Sequence, residues 1–454
     1  MKSVTYQLQD KSKIDVSRRN FLKYSAVAGV GLFSSSGILF SSGCAVNPVT
    51  GVNQLMMVSE QTEISIDKRQ APHQFSADYG VVQDSVLNGY ISEIGRAIAI
   101  RTHRPSMPYS FRCVNATYIN AYAFPGGSIA VTRGILLKLK NEAELAALIG
   151  HELGHVNARH SAQQMSKGTI SSMLVGSIAA VVGSRNSQLG QLAQQIGMVG
   201  QGVFLATYSR DNEREADSLG NQYMVNAGYS TYGFVGLMEL LNSMSKGHNA
   251  SAEMLFATHP MGSERYQTAI QMAQTKYIQS KSLPLNKERY MDRTASLRAK
   301  ESLITALQNG ETALGNKKYN DAEQLFNNAL KVGPRDYTAN IMMAKCMLVK
   351  NDYSRALKYA KEGASIYPTE GQAYHVAGFA SMKLKQYENA LNYFSKYEQL
   401  LPGNAGTTFF KGYALEGMNR NQEAALQYQE YLRQVQEGEY AQYAYKRLQE
   451  WGYI

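Results

Sequence analysis

The sequence predicts a mainly α-helical protein in two parts, an N-terminal helical domain built around a small β-sheet and a C-terminal α-solenoid. Three observations carry this. Asn141 to Gly150 is rich in helix formers, apolar along one side and free of proline, so a buried helix starts there. Ser128 to Thr132 is β-prone and follows the turn residues Pro125-Gly126-Gly127, which reads as a strand just before that helix. Ala322, Ala356, Ala390 and Ala424 recur every 34 residues in the last third of the chain. At 454 residues, with 44% hydrophobic and 18% charged residues, the chain has ample core for two or three domains.

The amino terminus reads as an export signal. Ser17-Arg18-Arg19-Asn20-Phe21-Leu22-Lys23 is a twin-arginine pattern, followed by a weakly apolar stretch from Tyr24 to Phe40. Gly29, Gly31, Gly37 and several serines interrupt that stretch, which makes it a poor membrane span. Residues 1–43 are therefore expected to be a cleaved signal. Ser41-Ser42-Gly43-Cys44 resembles a lipoprotein processing site, with Cys44 as the lipidated residue, although Ser41 stands where leucine is usual. The formal charge of +10 falls to about +6 once the six Lys or Arg and two Asp or Glu of residues 1–43 are removed. That balance suits an anionic lipid surface, and no basic run with interleaved aromatics points to nucleic acid. Cys113 and Cys346 fall in different predicted domains, so no disulfide framework is expected and both read as small buried hydrophobes.

The chemistry lies in His151-Glu152-Leu153-Gly154-His155. On a helix, His151 and His155 stand one turn apart on a single face and can share one metal ion. Glu152 sits beside the open position, where it can take a proton from a water whose pKa the ion lowers towards 7. A catalytic zinc usually has a third protein ligand. One extension of the motif would need Gly at 158 and His at 161, but Ala158 and Ser161 stand there and His160 is off the face of the other two. A second helix, from Ser209 to Asp217, offers Glu213 and Asp217 at i and i+4. Between the two, Gly168 to Val203 is rich in Gly, Ser and Gln, and its apolar core, Ile170 to Val182, is too short to span a membrane. It reads as a packed helical hairpin or as a flap beside the cleft.

At these residues the chain resembles the HExxH metallopeptidases that include the CAAX prenyl proteases and the bacterial heat-shock membrane protease. Their second motif, ExxAD, is Glu213-Arg214-Glu215-Ala216-Asp217 here. The resemblance implies a gluzincin-type zinc domain in which Glu213 is the third ligand and Asp217 orients a ligand histidine. Glu215 is expected to be a solvated carboxylate. The segment Asn120 to Gly134 extends the likeness, and implies an edge strand, Ser128, Ile129, Ala130 and Val131, that pairs with an extended substrate. An ordinary core strand is the alternative. Within this group the chain resembles the periplasmic β-barrel assembly-enhancing proteases, which carry a loop histidine able to occupy the zinc's open position. The matching segment is Ala257-Thr258-His259-Pro260, which makes His259 a reversible fourth ligand. Cys44-Ala45-Val46 resembles the start of mature lipoprotein members, and Ala45 implies no inner-membrane retention.

The last third follows its own period. Pro334, Pro368 and Pro402, and Tyr319, Tyr353 and Tyr387, recur at 34 residues, with Gly310, Ala344, Gly378 and Gly412 as the matching small residues. This resembles the tetratricopeptide repeat, a helix pair whose small residues let neighbours approach. Four repeats cover residues 303–436, and Glu437 to Trp451 reads as a capping helix. Such a solenoid builds a concave groove for peptides or partner proteins, or else serves only to stabilise the first domain.

The expected organisation is a signal at 1–43, a zinc peptidase domain at 44–280, a linker helix at 281–302 and a repeat domain at 303–454. The expected function is that of a lipid-anchored periplasmic endopeptidase with one Zn2+ per chain. His151, His155 and Glu213 hold the ion, and Glu152 passes the water's proton to the leaving amine. Tyr208 and Arg210 are candidate oxyanion donors. Misfolded or stalled outer-membrane proteins are the expected substrates, with assembly machinery engaged through the repeats. The competing readings are an assembly chaperone whose protease is rarely used, and a general peptide scavenger.

Overall fold

The computed structural model describes residues 44–166, 207–247 and 250–454. The expected export signal at 1–43 and the segment at 168–203 lie outside the described residues. So does the side chain of Cys44, whose backbone opens strand β1 (Cys44–Val46), paired antiparallel with β2 (Asn53–Leu55). Helices α1 (Glu60–Ala77) and α2 (Ser85–Ala99) lead into a three-stranded sheet of β3 (Ser110–Val114), β4 (Ala121–Ala123) and β5 (Ser128–Thr132). Its order is β3–β5–β4, with β3 parallel and β4 antiparallel to β5. This corrects the expectation of an edge strand at Ser128, Ile129, Ala130 and Val131. They lie on the central strand, whose backbone is already paired on both sides.

The turn after β5 enters α3 (Arg133–Lys138) and then α4 (Glu142–Asn157), whose N-cap Asn141 accepts the backbone N–H of Glu144. Every residue of α4 is buried, so it is the core of the domain, and each polar side chain it carries needs a partner. Glu142, for example, accepts from the hydroxyls of Tyr90 and Tyr229, from Asn286 and from Arg289. Among the described residues, α5 (His160–Ser166), α6 (Arg210–Asn226), α7 (Thr231–Lys246), α8 (Glu253–Thr258) and α9 (Ser263–Gln274) complete the domain around α4. Short α10 (Lys287–Arg293) and α11 (Ala295–Arg298) then lead to the repeats.

The repeats are the helix pairs α12 (Glu301–Gly315) and α13 (Tyr319–Val332), α14 (Tyr337–Val349) and α15 (Tyr353–Ile366), α16 (Gly371–Lys383) and α17 (Tyr387–Leu400), and α18 (Ala405–Gly417) and α19 (Asn421–Gln434). Helix α20 (Glu439–Glu450) caps them, with Tyr440 stacked on Phe409. The turn inside each pair passes through a left-handed residue, Lys317, Asn351, Lys385 and Asn419, again 34 apart. The small residues face large rings: a Cβ on Gly310 or Gly378 would come within 2.4 or 2.7 Å of Phe326 or Phe394.

The repeats close on the first domain. Arg133 donates to Asp336 at 2.8 Å, and Gln308 donates to the carbonyl of Thr117. Thr338 donates to the Asn115 carbonyl, Ser76 to Glu370, and Gln372 to the Ala77 carbonyl. Lys345 lies buried over the Tyr79 ring, and burial pushes its amine down to about 8 against the pull of Glu311 and Glu370. Helices α14 and α16 therefore press against the end of α1 and the loops around β3, so at the middle repeats that face is not an open groove. Among the described residues no helix is long and apolar enough to cross a membrane.

Candidate metal centre

Two helices meet at the HExxH motif because their contacts lack side chains. A Cβ on Gly150 would fall 2.7 Å from the Gly220 carbonyl oxygen, and one on Gly154 would fall 2.8 Å from that of Ala216. Helices α4 and α6 thus touch backbone to backbone, in antiparallel register, with 150 opposite 220 and 154 opposite 216. This close approach brings the carboxylates of α6 to the histidines of α4. The capping box of Ser209 and Asn212 starts α6 just ahead of Glu213.

His151, His155, Glu213 and His259 are all buried, and one ligand atom from each lies within 4.8 Å of the others. His151 Nε2 is 3.1 Å from His155 Nε2 and 3.3 Å from His259 Nδ1. Glu213 Oε1 is 3.3 Å from His155 Nε2 and 3.0 Å from His259 Nδ1. A tetrahedral ion with bonds of about 2.0–2.1 Å separates its ligand atoms by about 3.4 Å, so the donor set matches the edges of such a site. Imidazole nitrogens that face one another at this range present lone pairs to a common point, which a cation satisfies. Glu152 stands beside the cluster, with Oε1 3.8 Å from His259 Nε2.

Three supports surround these side chains. Asp217 Oδ1 is 2.9 Å from His151 Nδ1, and Arg265 clamps both Asp217 oxygens at 2.7 Å while reaching Glu213 Oε2 at 2.7 Å. Arg265 has no place in the sequence reading; its only local signal is its position on the helix that follows His259-Pro260. His160 Nδ1 is 2.9 Å from His155 Nδ1, and its Nε2 is 3.1 Å from Glu215. Glu215 is thus a partner of a buried histidine, and only one third of its side chain is exposed, where a solvated carboxylate was expected. Tyr208 stacks on His155 with ring centroids 3.7 Å apart, its hydroxyl 3.3 Å from Ser161 Oγ, and its N–H donates to the Thr258 carbonyl. Arg210 is exposed at the start of α6. The end of β4, with Ala123, Phe124 and Pro125, lines one narrow cavity together with His155 and Tyr208. Among the described residues β4 pairs with β5 alone, so the edge strand beside the centre is β4.

The charges are arranged in opposition. Burial alone would raise the Glu213 carboxyl, but His259 and His151 hold it well below the usual carboxylate range. Burial wins at Glu152, whose carboxyl is pushed up despite His259 and His151 nearby. Burial keeps the His155 imidazole well below its ordinary value, so it stays neutral and free to bind through a lone pair. Asp217 would be raised by burial, but Arg265 brings it below the ordinary value.

Residues 85–273, which span this centre, match the model of Peptidase family M48. The chain carries an M48 peptidase domain. Residues 315–397 match the model described as Anaphase-promoting complex, cyclosome, subunit 3, within the helix pairs. The chain is 28% identical over 216 residues to the Beta-barrel assembly-enhancing protease of Yersinia pestis, covering 45% of this chain and 44% of that protein. It is 34% identical over 161 residues to Metalloprotease YcaL of Escherichia coli (strain K12), covering 35% and 60% of the two. With Metalloprotease LoiP of the same organism it shares 25% identity over 246 residues, 54% of this chain and 90% of LoiP. The match spans less than half the length of the first of these relatives. An M48 domain implies a metal, and the four converging side chains are a chemically suitable place for it.

Proposed function

We propose that this chain is a zinc-dependent endopeptidase of the cell envelope, acting on misfolded or stalled outer-membrane proteins. The observation that carries the reading is the convergence of His151, His155, Glu213 and His259 with Glu152 beside them. His151, His155 and Glu213 hold zinc, and His259 is a reversible fourth donor. When bound, zinc lowers the pKa of a coordinated water and polarises the scissile carbonyl. Glu152, buried beside these donors, would take the water's proton and return it to the leaving amine. Asp217 and Arg265 fix the orientation of His151 and Glu213. An extended substrate adds to β4 on the side away from β5, where the strand ends beside His155. Tyr208 directs its hydroxyl towards Ser161, so its part is to pack His155 in place rather than to stabilise an oxyanion.

The domains divide at 44–280, 281–302 and 303–454, and the sequence before Cys44 supports twin-arginine export, lipidation of Cys44 and an outer-membrane anchor facing the periplasm. The repeats bind substrate or assembly partners on surfaces other than those buried against the M48 domain. A second reading is favoured by the four donors closing on one point: a chaperone or scaffold for outer-membrane proteins whose protease is latent. Casein cleavage with and without a chelator, for wild type and Glu152→Gln, tests the first reading. Envelope function retained in Glu152→Gln would move the second to the front.

A further inference from the structure

We infer that His160 and Glu215 form a relay that positions His155 in the metal centre, a role that presupposes the centre proposed above. His155 turns Nε2 towards the cluster, 3.1 Å from His151 Nε2 and 3.3 Å from Glu213 Oε1. Its other nitrogen, Nδ1, faces away and lies 2.9 Å from His160 Nδ1. His160 Nε2 in turn lies 3.1 Å from Glu215 Oε2. The His160 side chain is fully buried, so bulk water does not substitute for it.

The chemistry of the three groups orders the protons. An ionised carboxylate only accepts, so His160 donates through Nε2. An imidazole carrying that single proton accepts at Nδ1, which makes His155 the donor through its own Nδ1. The lone pair of His155 is then on Nε2, the atom that faces the cluster. Metal binding needs this tautomer, and the hydrogen bond at the far nitrogen selects it.

The fold shows why the relay has two members. Glu213 and Asp217 share one face of α6 and reach the centre directly, whereas Glu215 lies off that face. His151 therefore has a carboxylate against its Nδ1, that of Asp217 at 2.9 Å. Nδ1 of His155 faces His160 instead, and reaches a carboxylate only through that intermediary. The intermediary returns beside α4 because Arg159, between α4 and α5, adopts φ 58, a left-handed conformation that non-glycine residues rarely take. Its guanidinium is held by buried Glu63, with both Glu63 oxygens at 3.2 Å, and by the Val58 carbonyl at 2.7 Å. Arg104 grips the same Glu63 at 2.7 Å. The turn that aims His160 is thus anchored by a buried ion-pair cluster that touches no ligand.

The test is the zinc dissociation constant of the full chain, measured by chelator competition, with the visible spectrum of the Co2+-substituted protein as a second readout. Glu215→Leu and His160→Phe should each weaken zinc by about 10–100-fold and alter the Co2+ spectrum. Glu215→Gln keeps an acceptor for His160 and should recover part of that loss, which a purely packing role would not predict. Wild-type affinity and spectrum in Glu215→Leu would overturn the relay alone. A wild-type chain that holds no zinc would overturn the metal centre and the relay with it. Because Glu215 is partly exposed, its variants decide the matter even if His160→Phe does not fold.

Discussion

Gly154→Ala separates a local effect from a geometric one. In an exposed helix this change stabilises by about 1 kcal/mol, because alanine loses less backbone freedom on folding. Here the new Cβ would stand 2.8 Å from the Ala216 carbonyl oxygen and 2.9 Å from its Cα, both of them backbone atoms that cannot rotate away. Reaching ordinary contact at 3.4 Å moves α4 and α6 apart by about 0.6 Å. Overpacking of this kind costs about 1–3 kcal/mol, which cancels or exceeds the propensity gain. Metal sites tolerate deviations of only about 0.2 Å in ligand distance, and Glu213 rides on the helix that moves. Zinc affinity should therefore fall by an order of magnitude or more, on the scale of about 10–100-fold seen when ligand supports are lost. Chelator competition measures the affinity, and thermal melts with and without chelator measure the stability. A Gly154→Ala protein with wild-type zinc affinity and a raised Tm would refute the claim that backbone contact between these helices sets the centre.

Three further outcomes follow from other contacts. His259→Ala should raise basal casein cleavage, since it frees one position around the metal; unchanged or lower activity in a folded variant would count against the latch. Arg265→Met removes the cation that clamps Asp217 and reaches Glu213, and should cost about 3–5 kcal/mol in urea unfolding as well as zinc retention. At the junction with the repeats, Asp336→Asn should destabilise the chain by leaving buried Arg133 without its counter-charge. Burial would raise the Asp336 carboxyl, but Arg133 holds it below its ordinary 3.8, so the pair stabilises fully above that value. Its contribution is lost as pH falls through the lower folded-state value. Urea melts across pH should show a constant gap between wild type and variant above pH 4 that closes in stronger acid; a gap that persists there would contradict the assignment.

The features legible in the sequence are those carried by one helix or one period. His151 and His155 at i and i+4, Glu213 and Asp217 at i and i+4, and the 34-residue spacing of Ala322 and its counterparts each express a single helical repeat. What was not legible depends on pairs of elements. Gly150 and Gly154 read as neutral fillers until Gly220 and Ala216 stand against them. His160 belongs to the centre only because the left-handed turn at Arg159 brings it back, and helical spacing alone places it off the face. Arg265 is 48 residues from Asp217 and carries no spacing signal. Ser128 to Val131 were recognisable as a strand, but whether a strand is central or at an edge is decided by β3 and β4. The buried face of α14 and α16 was likewise hidden, since repeat periodicity defines a face and not what covers it.

The most direct test of the metal centre is zinc content and casein cleavage measured together on wild type and Glu152→Gln. One zinc per chain in both proteins, with cleavage lost in Glu152→Gln, is the predicted result. Equal cleavage by the two proteins, or a wild-type chain without metal, would contradict it.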